Sequence, residues 1–207
     1  MAWRKRQSRL REIAEGLTKA GALQFGPYTL PGGSESAYQV NLGGLPSYPT
    51  VHRLVVDSMK DLLLSKVPKA KAVCGLPVAG LTIAAPVALE LGKPLVYPRQ
   101  PRQPNERRIE GELKPGWRVV IVSDLAASGK TILDAAKLVE QEGADARDAV
   151  VLLDRLEGAR EKLSKEGIAL HSVTDVMELA DTLHSMELIR EADLKAIAKS
   201  VGGLSRP

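Results

Sequence analysis

Cysteine, aromatic residues and long apolar runs are all scarce in this chain. Its one cysteine, Cys74, cannot form an internal disulfide, which is typical of a reducing, cytoplasmic setting. Aromatic residues make up only 3%, so the core must be built from Val, Leu, Ile and Ala, the usual filling of a buried parallel sheet. No stretch approaches the roughly 20 apolar residues of a membrane span, and the basic start lacks the apolar segment of a secretory signal. These absences predict a cytoplasmic globular protein with no membrane partner.

The length and charge of the chain suit one globular domain. It has 207 residues, of which 44% are hydrophobic and 26% are charged, enough to bury a core. The net charge of +4 suits a phosphorylated substrate. Basic residues crowd the N-terminus without interleaved aromatic residues, which favours a solvated helix face over a nucleic-acid site. These residues are Arg4, Lys5, Arg6, Arg9 and Arg11.

The first part of the chain predicts a helix, a hairpin and a second helix. Apolar residues recur at helical spacing between residues 8 and 23. Two short extended segments follow, near Tyr28–Leu30 and Ala37–Leu42, and the Pro-Gly-Gly-Ser sequence at 31–34 predicts a hairpin turn between them. Pro49 then favours the first turn of the next helix.

From Lys71 onwards, strands and helices alternate. The segments AVCGL, PLVY, RVVIV, AVVLLD and IALHSV have the composition of buried strands, and most are separated by helical segments. Such alternation predicts right-handed βαβ crossovers and a mainly parallel sheet. The hydrophilic run of about fourteen residues at 98–111 is longer than an ordinary connection, so we interpret it as a mobile functional loop.

The most informative segment is VVIVSDLAASGKT, from Val119 to Thr131. A β-branched run ends in Asp124, and a turn of small residues then opens directly into a helix. The strand would deliver the acid to the carboxyl edge of the sheet, and the turn would direct free backbone N–H groups at an anion, which suits a sugar phosphate. In an equally open alternative, the turn is an ordinary connection and Asp124 only caps a helix.

Gly129-Lys130-Thr131 also has the form of the end of a Walker A loop, which binds nucleoside triphosphates. That motif requires a glycine five positions before Gly129, and this chain has Asp124 there. The turn is also too short to wrap a triphosphate. An ATPase of that class is therefore not expected.

Four segments would meet at the carboxyl edge of such a sheet: Gly75–Gly80, Tyr97–Gly111, Asp124–Thr131 and Asp154–Gly158. Their order and sequences resemble those of the type I phosphoribosyltransferases, and within them the orotate phosphoribosyltransferases. The resemblance covers roughly residues 20 to 180. It rests on ALQFGPYTL, GLPVAGLTIAAPVALELGKPLVYPR, RRIEGELKPGWRVVIVSDLAASGKT and VVLLDRLEGAREKL, which are specific only when taken together.

This resemblance implies a fold, a reaction and an assembly. The fold is α/β, an open and mainly parallel five-stranded sheet with flanking helices, in a single domain over 1–207. A small N-terminal hood would occupy about 1–48, the core about 49–180 and a helical tail 181–207. The reaction would join orotate, a pyrimidine base, to phosphoribosyl pyrophosphate and release pyrophosphate, with Mg²⁺ as the cofactor. Family members usually pair, so a homodimer is implied.

The resemblance also assigns roles around the sugar. Asp124, beside Ser123, would be the catalytic carboxylate that holds the ribose hydroxyls, and it could contact the metal through water. Lys130 would add positive charge near the 5′-phosphate, with a solvated surface lysine as an equally open alternative. The 5′-phosphate would bind the turn and helix start formed by Ala127, Ser128, Gly129, Lys130 and Thr131.

Further residues would bind pyrophosphate and the base. Arg99, with a catalytic role, and Arg102 would face the departing charge, whereas Arg155 would bind the orotate carboxylate with help from Ser128. The alternative for Arg155 is a simple surface pair with Asp154. The loop that approaches pyrophosphate would be Leu76, Pro77, Val78, Ala79 and Gly80.

The sequence departs from the family pattern at five positions. Ser123 stands where the first of two adjacent acids is usual, and Pro31 replaces a hairpin lysine. In the loop, Gln100, Gln103 and Asn105 stand where the family has two lysines and a histidine. None of these three side chains carries positive charge or acts as a general acid near neutral pH.

Other residues leave the function open at this stage. Arg102, Arg107 and Arg108 could replace the lost loop charge or form a solvated surface loop. The histidines are scattered without partners at ligand spacing, so no protein metal site is predicted. We keep three hypotheses: an enzyme of the orotate type, a binding protein of the same fold that senses phosphoribosyl pyrophosphate or a nucleotide with little turnover, and a nucleic-acid-binding regulator.

Overall fold

The computed structural model describes residues 2–29, 35–100 and 107–202. The chain forms two compact units, one of Met1–Leu54 with Thr174–Pro207 and the other of Val55–Val173. The division of a single domain into hood, core and tail stays a prediction. Within the described ranges, no helix is both long enough and apolar enough to cross a membrane.

The order of elements confirms the predicted α/β class. A 3₁₀ turn at Leu45–Ser47 precedes the second helix. In chain order, the elements are α1 (Ala2–Lys19), β1 (Leu23–Thr29), β2 (Glu35–Val40), α2 (Pro49–Lys66), β3 (Ala72–Gly75), α3 (Ala79–Glu90), β4 (Leu95–Pro98), β5 (Ile109–Glu110), β6 (Arg118–Ala126), α4 (Lys130–Gln141), β7 (Asp145–Asp154), α5 (Ala159–Lys165), β8 (Ala169–Asp175), α6 (Val176–Ser185) and α7 (Glu191–Gly202).

The first unit contains the predicted N-terminal helix and hairpin. Strands β1 and β2 are antiparallel, with Leu23 opposite Val40. Helix α1 ends before Leu23, where the sequence had placed its end, because Gly21 adopts a φ of +64° and the chain then enters β1. The turn at 31–34, with Pro31, lies outside the described residues.

The second unit contains most of a six-stranded sheet of order β5-β4-β3-β6-β7-β8. Strands β4, β3, β6 and β7 pair in parallel, as the alternating pattern predicted. Strand β5 is a two-residue addition to the expected five strands, and it pairs antiparallel with β4 through Tyr97 and Glu110. The sheet is therefore mainly parallel with one short antiparallel edge.

Strand β6 is longer than its apolar run. The sequence predicted a strand over 118–122, yet β6 continues to Ala126 because Leu125 and Ala126 pair with Leu153 and Asp154 of β7. Asp124 therefore lies inside the last part of the strand, and its backbone position is fixed by the sheet.

The core of the second unit is aliphatic, as the shortage of aromatic residues required. Val119, Val120, Ile121 and Val122 of β6 are fully buried. Cys74 in β3 is also fully buried, and burial raises the pKa of its thiol to about 12. The thiol therefore stays protonated at neutral pH, and Cys74 is a small residue of the core.

Candidate functional site

A cavity of about 270 Å³ opens at the carboxyl end of β6. It is lined by Leu76 and Pro77 after β3 and by the run from Ser123 to Ile132. The structure thus brings together two predicted segments, the pair Ser123-Asp124 and the turn 127–131, with part of the predicted loop after β3. Three further apolar residues also line the cavity: two belong to the predicted segment 124–131 without having been assigned a role, and the third lies one residue beyond it. They are Leu125, Ala126 and Ile132.

The start of α3 lies directly against the end of β6 because Gly80 has no side chain. A Cβ at Gly80 would lie 2.8 Å from Ser123 Cα and 3.1 Å from the Asp124 nitrogen. This close approach fixes the loop after β3 beside the candidate site. Of that loop, only Leu76 and Pro77 line the cavity, and Val78 is 81% exposed.

We expect Gly80→Ala to destabilise the protein by about 1–3 kcal/mol, even though alanine favours helices over glycine. The added methyl group would press on the backbone of Ser123 and Asp124, which cannot rotate away as a flexible side chain can. Urea unfolding measures the effect. Gly44→Ala is the matched control, since a Cβ at Gly44 would meet no atom within 4 Å and its φ is −81°. An unchanged unfolding midpoint for Gly80→Ala would contradict the close approach.

Asp124 is a half-buried carboxylate at the end of β6. Ser123 Oγ donates a hydrogen bond to Asp124 Oδ1 at 3.1 Å. Burial raises the pKa of Asp124 above its usual value, and hydrogen bonds from the Leu125 N–H and the Ser123 hydroxyl partly oppose that rise. A carboxylate withdrawn from water gains strongly from further donors. Asp124 is therefore suited to bind the hydroxyls of a sugar.

The turn after β6 prepares the start of α4 for an anion. Gly129 precedes the helix with φ +72° and ψ 0°, a left-handed conformation that favours glycine. A Cβ there would also lie 3.1 Å from Leu163 Cγ and 3.2 Å from Ala159 Cα. A glycine offers no side chain to cap the helix, so a bound anion can take that role. Ser128 Oγ lies 3.5 Å from the Lys130 nitrogen and adds a hydroxyl to the turn.

Lys130 both lines the cavity and pairs with an acid one turn later. Its Nζ lies 2.8 Å from Asp134 Oδ2, and its side chain is 73% exposed. The ammonium group is thus a surface charge at the rim of the cavity. An exposed pair of this kind contributes little to stability, so the ammonium group can turn towards an anion at low cost.

Arg155 lies beside the end of β6, outside the set of residues that line the cavity. Its backbone N–H donates to the Ala126 oxygen at 2.8 Å. The guanidinium group is buried and pairs with Glu157, whose Oε1 is 2.8 Å from Nε. Asp154 is also buried and binds Arg160 at 3.1 Å. The alternative of a surface pair between Asp154 and Arg155 is therefore wrong, because each residue is buried and bound to another partner.

The loop after β4 is described only at its ends. Arg99 donates its backbone N–H to the Arg108 oxygen at 2.9 Å, and its guanidinium group forms an ion pair with Glu110. Arg107 pairs with Glu142 at 3.1 Å. Arg99 does not line the cavity in this structure. Arg102, Gln103 and Asn105 lie outside the described residues, and Gln100 is exposed.

Across the ranges that the structure describes, no group of three or more His, Cys, Asp or Glu side chains could hold a metal ion. His171 instead contacts Asp148, with 3.0 Å between Nε2 and Oδ1. Asp124 is the carboxylate that lines the cavity. A metal ion here would need most of its ligands from water and from a phosphorylated molecule, which is how Mg²⁺ is commonly bound.

Comparison with known proteins decides the family. The family model of the phosphoribosyl transferase domain matches residues 51–173. The chain belongs to this family. The matched range contains the cavity, the strand that carries Asp124 and the turn that carries Arg155, so the phosphoribosyltransferase match covers the candidate site built above.

The relatives of this phosphoribosyltransferase include proteins named orotate phosphoribosyltransferase. That of Cenarchaeum symbiosum is 36% identical over 84% of this chain and 88% of its own length. That of Methanopyrus kandleri is 33% identical over 81% of this chain and 90% of its own length. These relatives confirm the resemblance that the sequence motifs indicated.

Solved structures agree with the sequence relatives. The crystal structure of orotate phosphoribosyltransferase from Aeropyrum pernix has a TM-score of 0.72 and 31% identity, and the match covers 84% of this chain and 99% of that one. The UMP synthase of Leishmania donovani has a TM-score of 0.84 and 32% identity over 93% of this chain. This phosphoribosyltransferase spans 42% of that longer protein.

Proposed function

We propose that this chain is an orotate phosphoribosyltransferase, an enzyme of pyrimidine nucleotide synthesis. It would join orotate to phosphoribosyl pyrophosphate and yield orotidine monophosphate and pyrophosphate. The observation that carries the proposal is the cavity in which Asp124 and the turn 127–131 come together in a chain of this family. The names of relatives that align over most of their own length support the choice of orotate as the base.

The sugar and its 5′-phosphate would bind at the end of β6. The Asp124 carboxylate accepts hydrogen bonds from the ribose hydroxyls, and the Ser123 hydroxyl keeps that carboxylate oriented. Ser128, Thr131 and the backbone N–H groups at the start of α4 bind the phosphate, together with Ala127, Gly129 and Lys130. The positive end of the helix dipole favours the phosphate charge.

The pyrophosphate group would lie towards the loop after β3. Backbone of the run Leu76 to Gly80 approaches it, and Arg99 and Arg102 supply positive charge. A magnesium ion fits this site through its chemistry, because one carboxylate, Asp124, together with water and substrate phosphates forms the ligand set that Mg²⁺ prefers. When bound, the ion would neutralise charge on the departing pyrophosphate.

The base would lie near the turn that follows β7. Arg155 binds the orotate carboxylate, since a guanidinium group matches a carboxylate with two parallel hydrogen bonds. Ser128, in the turn 127–131, would contribute a hydroxyl group to the binding of the base. As pyrophosphate leaves, the anomeric carbon of the sugar gains positive character, and the fixed positions of sugar and base hold the base nitrogen in line for attack.

A direct assay tests this function. The protein, Mg²⁺, phosphoribosyl pyrophosphate and orotate are mixed, and the loss of orotate absorbance is followed. Turnover that stops when either substrate is omitted is the expected result. Absence of turnover with orotate, uracil and purine bases would refute the enzyme. Tight, magnesium-dependent binding of the sugar without turnover would instead support a sensor of the same fold.

We also propose that the enzyme is a cytoplasmic homodimer. Helix α3 carries no charged residue from Ala79 to Leu89, and its less buried side is made mostly of apolar residues. Leu89 on this side is 82% exposed. An apolar helix side of this kind gains free energy when a second copy covers it. The residues of this side are Leu81, Thr82, Ala85, Pro86 and Leu89.

For the dimer, we predict that Leu89→Arg raises the dissociation constant at least about tenfold, because a buried, unpaired charge costs more than 1.4 kcal/mol. Sedimentation velocity over a range of concentrations measures the change. Leu188→Arg is the control, since Leu188 is also exposed, at 43%, and lies in the turn after α6. Equal dissociation constants for the two variants would exclude this side of α3 from the interface.

A further inference from the structure

The buried guanidinium group of Arg155 already has a carboxylate partner within its own turn. Glu157 Oε1 lies 2.8 Å from both Nε and Nη2 of Arg155. The Arg155 side chain is only 10% exposed, whereas that of Glu157 is 37% exposed. A buried cation needs a counter-ion, and here the more exposed partner supplies it.

The turn that carries this pair is held by other residues. Leu156 adopts φ +59°, a left-handed conformation that is rare outside glycine, and its N–H donates to Asp154 Oδ1 at 2.9 Å. Asp154 in turn binds Arg160, which also donates to the Leu170 oxygen at 2.8 Å. Because this framework does not include the Glu157 side chain, Glu157 can leave Arg155 without unfolding the turn.

The surroundings of the pair give the Glu157 side chain room to move. It is partly exposed, and a Cβ placed on the adjacent Gly158 would meet no atom within 4 Å. Two carboxylates at one guanidinium group repel each other unless each takes its own edge. Glu157 Oε1 occupies the edge that contains Nε and Nη2.

We propose that Glu157 is a specificity-determining residue, a resident counter-ion that the carboxylate of the incoming base must displace from the edge of Arg155 that contains Nε and Nη2. This inference rests on the proposed function, in which Arg155 binds the orotate carboxylate. A base with a carboxylate can exchange with Glu157 and keep Arg155 paired. A neutral pyrimidine such as uracil cannot make that exchange, so it must bind beside an intact Arg155–Glu157 pair. Glu157 therefore lowers the affinity for the acidic base and leaves that for the neutral base almost unchanged.

The test compares Glu157→Gln with the unaltered protein. The amide keeps the size of the side chain and loses the charge, so the orotate carboxylate meets a weaker competitor. We expect the KM for orotate to fall about tenfold, while the inhibition constant of uracil as a competitor of orotate and the KM for phosphoribosyl pyrophosphate change less than about twofold. The KM for orotate should therefore fall relative to the inhibition constant of uracil, and a general structural defect would not lower that ratio. Glu157→Ala is the second variant, and it should lower the KM for orotate at least as far.

Glu161→Gln is the matched control, because it removes the same charge from an exposed residue in the first turn of α5. An unchanged or raised KM for orotate in both Glu157 variants would overturn the inference. An unchanged KM would mean that Glu157 does not compete with orotate for Arg155, and a raised KM would mean that Glu157 orients Arg155 for the base. Failure of the unaltered protein to turn over orotate would overturn the proposed function, and the inference with it. Turnover by the unaltered protein separates the two cases.

Discussion

Asp124→Asn is expected to lower kcat/KM for phosphoribosyl pyrophosphate by about a thousandfold or more. Among the described residues that line the cavity, Asp124 supplies the only carboxylate. Asparagine keeps the shape but has one acceptor oxygen and no charge, so the ribose hydroxyls lose a charge-assisted contact. The Ser123 hydroxyl can still donate to the amide oxygen, and the strand should fold as before. Initial rates and calorimetric titration with the sugar and Mg²⁺ measure the loss.

Asp145→Asn provides the control for this prediction. Asp145 lies at the opposite end of β7 from the site, its side chain is 46% exposed, and it pairs with Arg147 at 2.7 Å. The same change of charge there removes only a surface pair, so kcat/KM should stay within about twofold. Undiminished affinity of the Asp124→Asn variant for the sugar would contradict the role that we assign to Asp124.

The turn 127–131, to which the 5′-phosphate is assigned, could be predicted from the sequence because short-range chemistry determines it. A run of β-branched residues predicts the buried strand, and Asp124 with the small residues after it marks the point where the chain leaves the sheet. Gly129 is favoured there for a local reason, because the residue before α4 adopts a left-handed conformation. Each of these signals lies within a few residues of the site itself.

Features that depend on pairing between distant segments could not be predicted in this way. Strand β5 has two residues and therefore no periodicity, and it exists because Glu110 meets Tyr97 of β4. The continuation of β6 to Ala126 depends on its partners in β7. The pair between Arg155 and Glu157 spans Leu156, whose left-handed conformation is one that leucine rarely adopts and that no sequence pattern indicates.

Three of the cations that the proposal assigns to anionic substrates lie in the described part of the chain, and they share one property. Lys130 pairs with Asp134, and Arg155 pairs with Glu157. Arg99 likewise pairs with Glu110 beside the loop. An anionic substrate must therefore compete with acids of the protein for these groups. A further cation at the departing pyrophosphate would have a large effect on the rate, because it would stabilise charge that forms only in the transition state.

Gln103→Lys is therefore expected to raise kcat about a hundredfold, since one charged donor at a developing charge is worth about 2.7–4 kcal/mol. Gln103 stands where the family has a lysine, and it lies outside the described residues, so this prediction rests on the sequence. An ammonium group can both neutralise the leaving pyrophosphate and donate a proton, whereas a glutamine amide can do neither. Burst and steady-state kinetics with orotate separate the chemical step from product release.

Gln141→Lys is the matched control for this gain of activity. Gln141 is an exposed residue at the end of α4, where a lysine is also favoured by the helix dipole. The control adds the same charge to the protein, so a rise in kcat confined to Gln103→Lys would be a local effect on the reaction and not a general attraction of anions. A Gln103→Lys variant with the kcat of the unaltered protein would contradict the view that a missing cation limits the rate. The positive charge at the pyrophosphate would then come from another residue, and Arg102 would be the next residue to substitute.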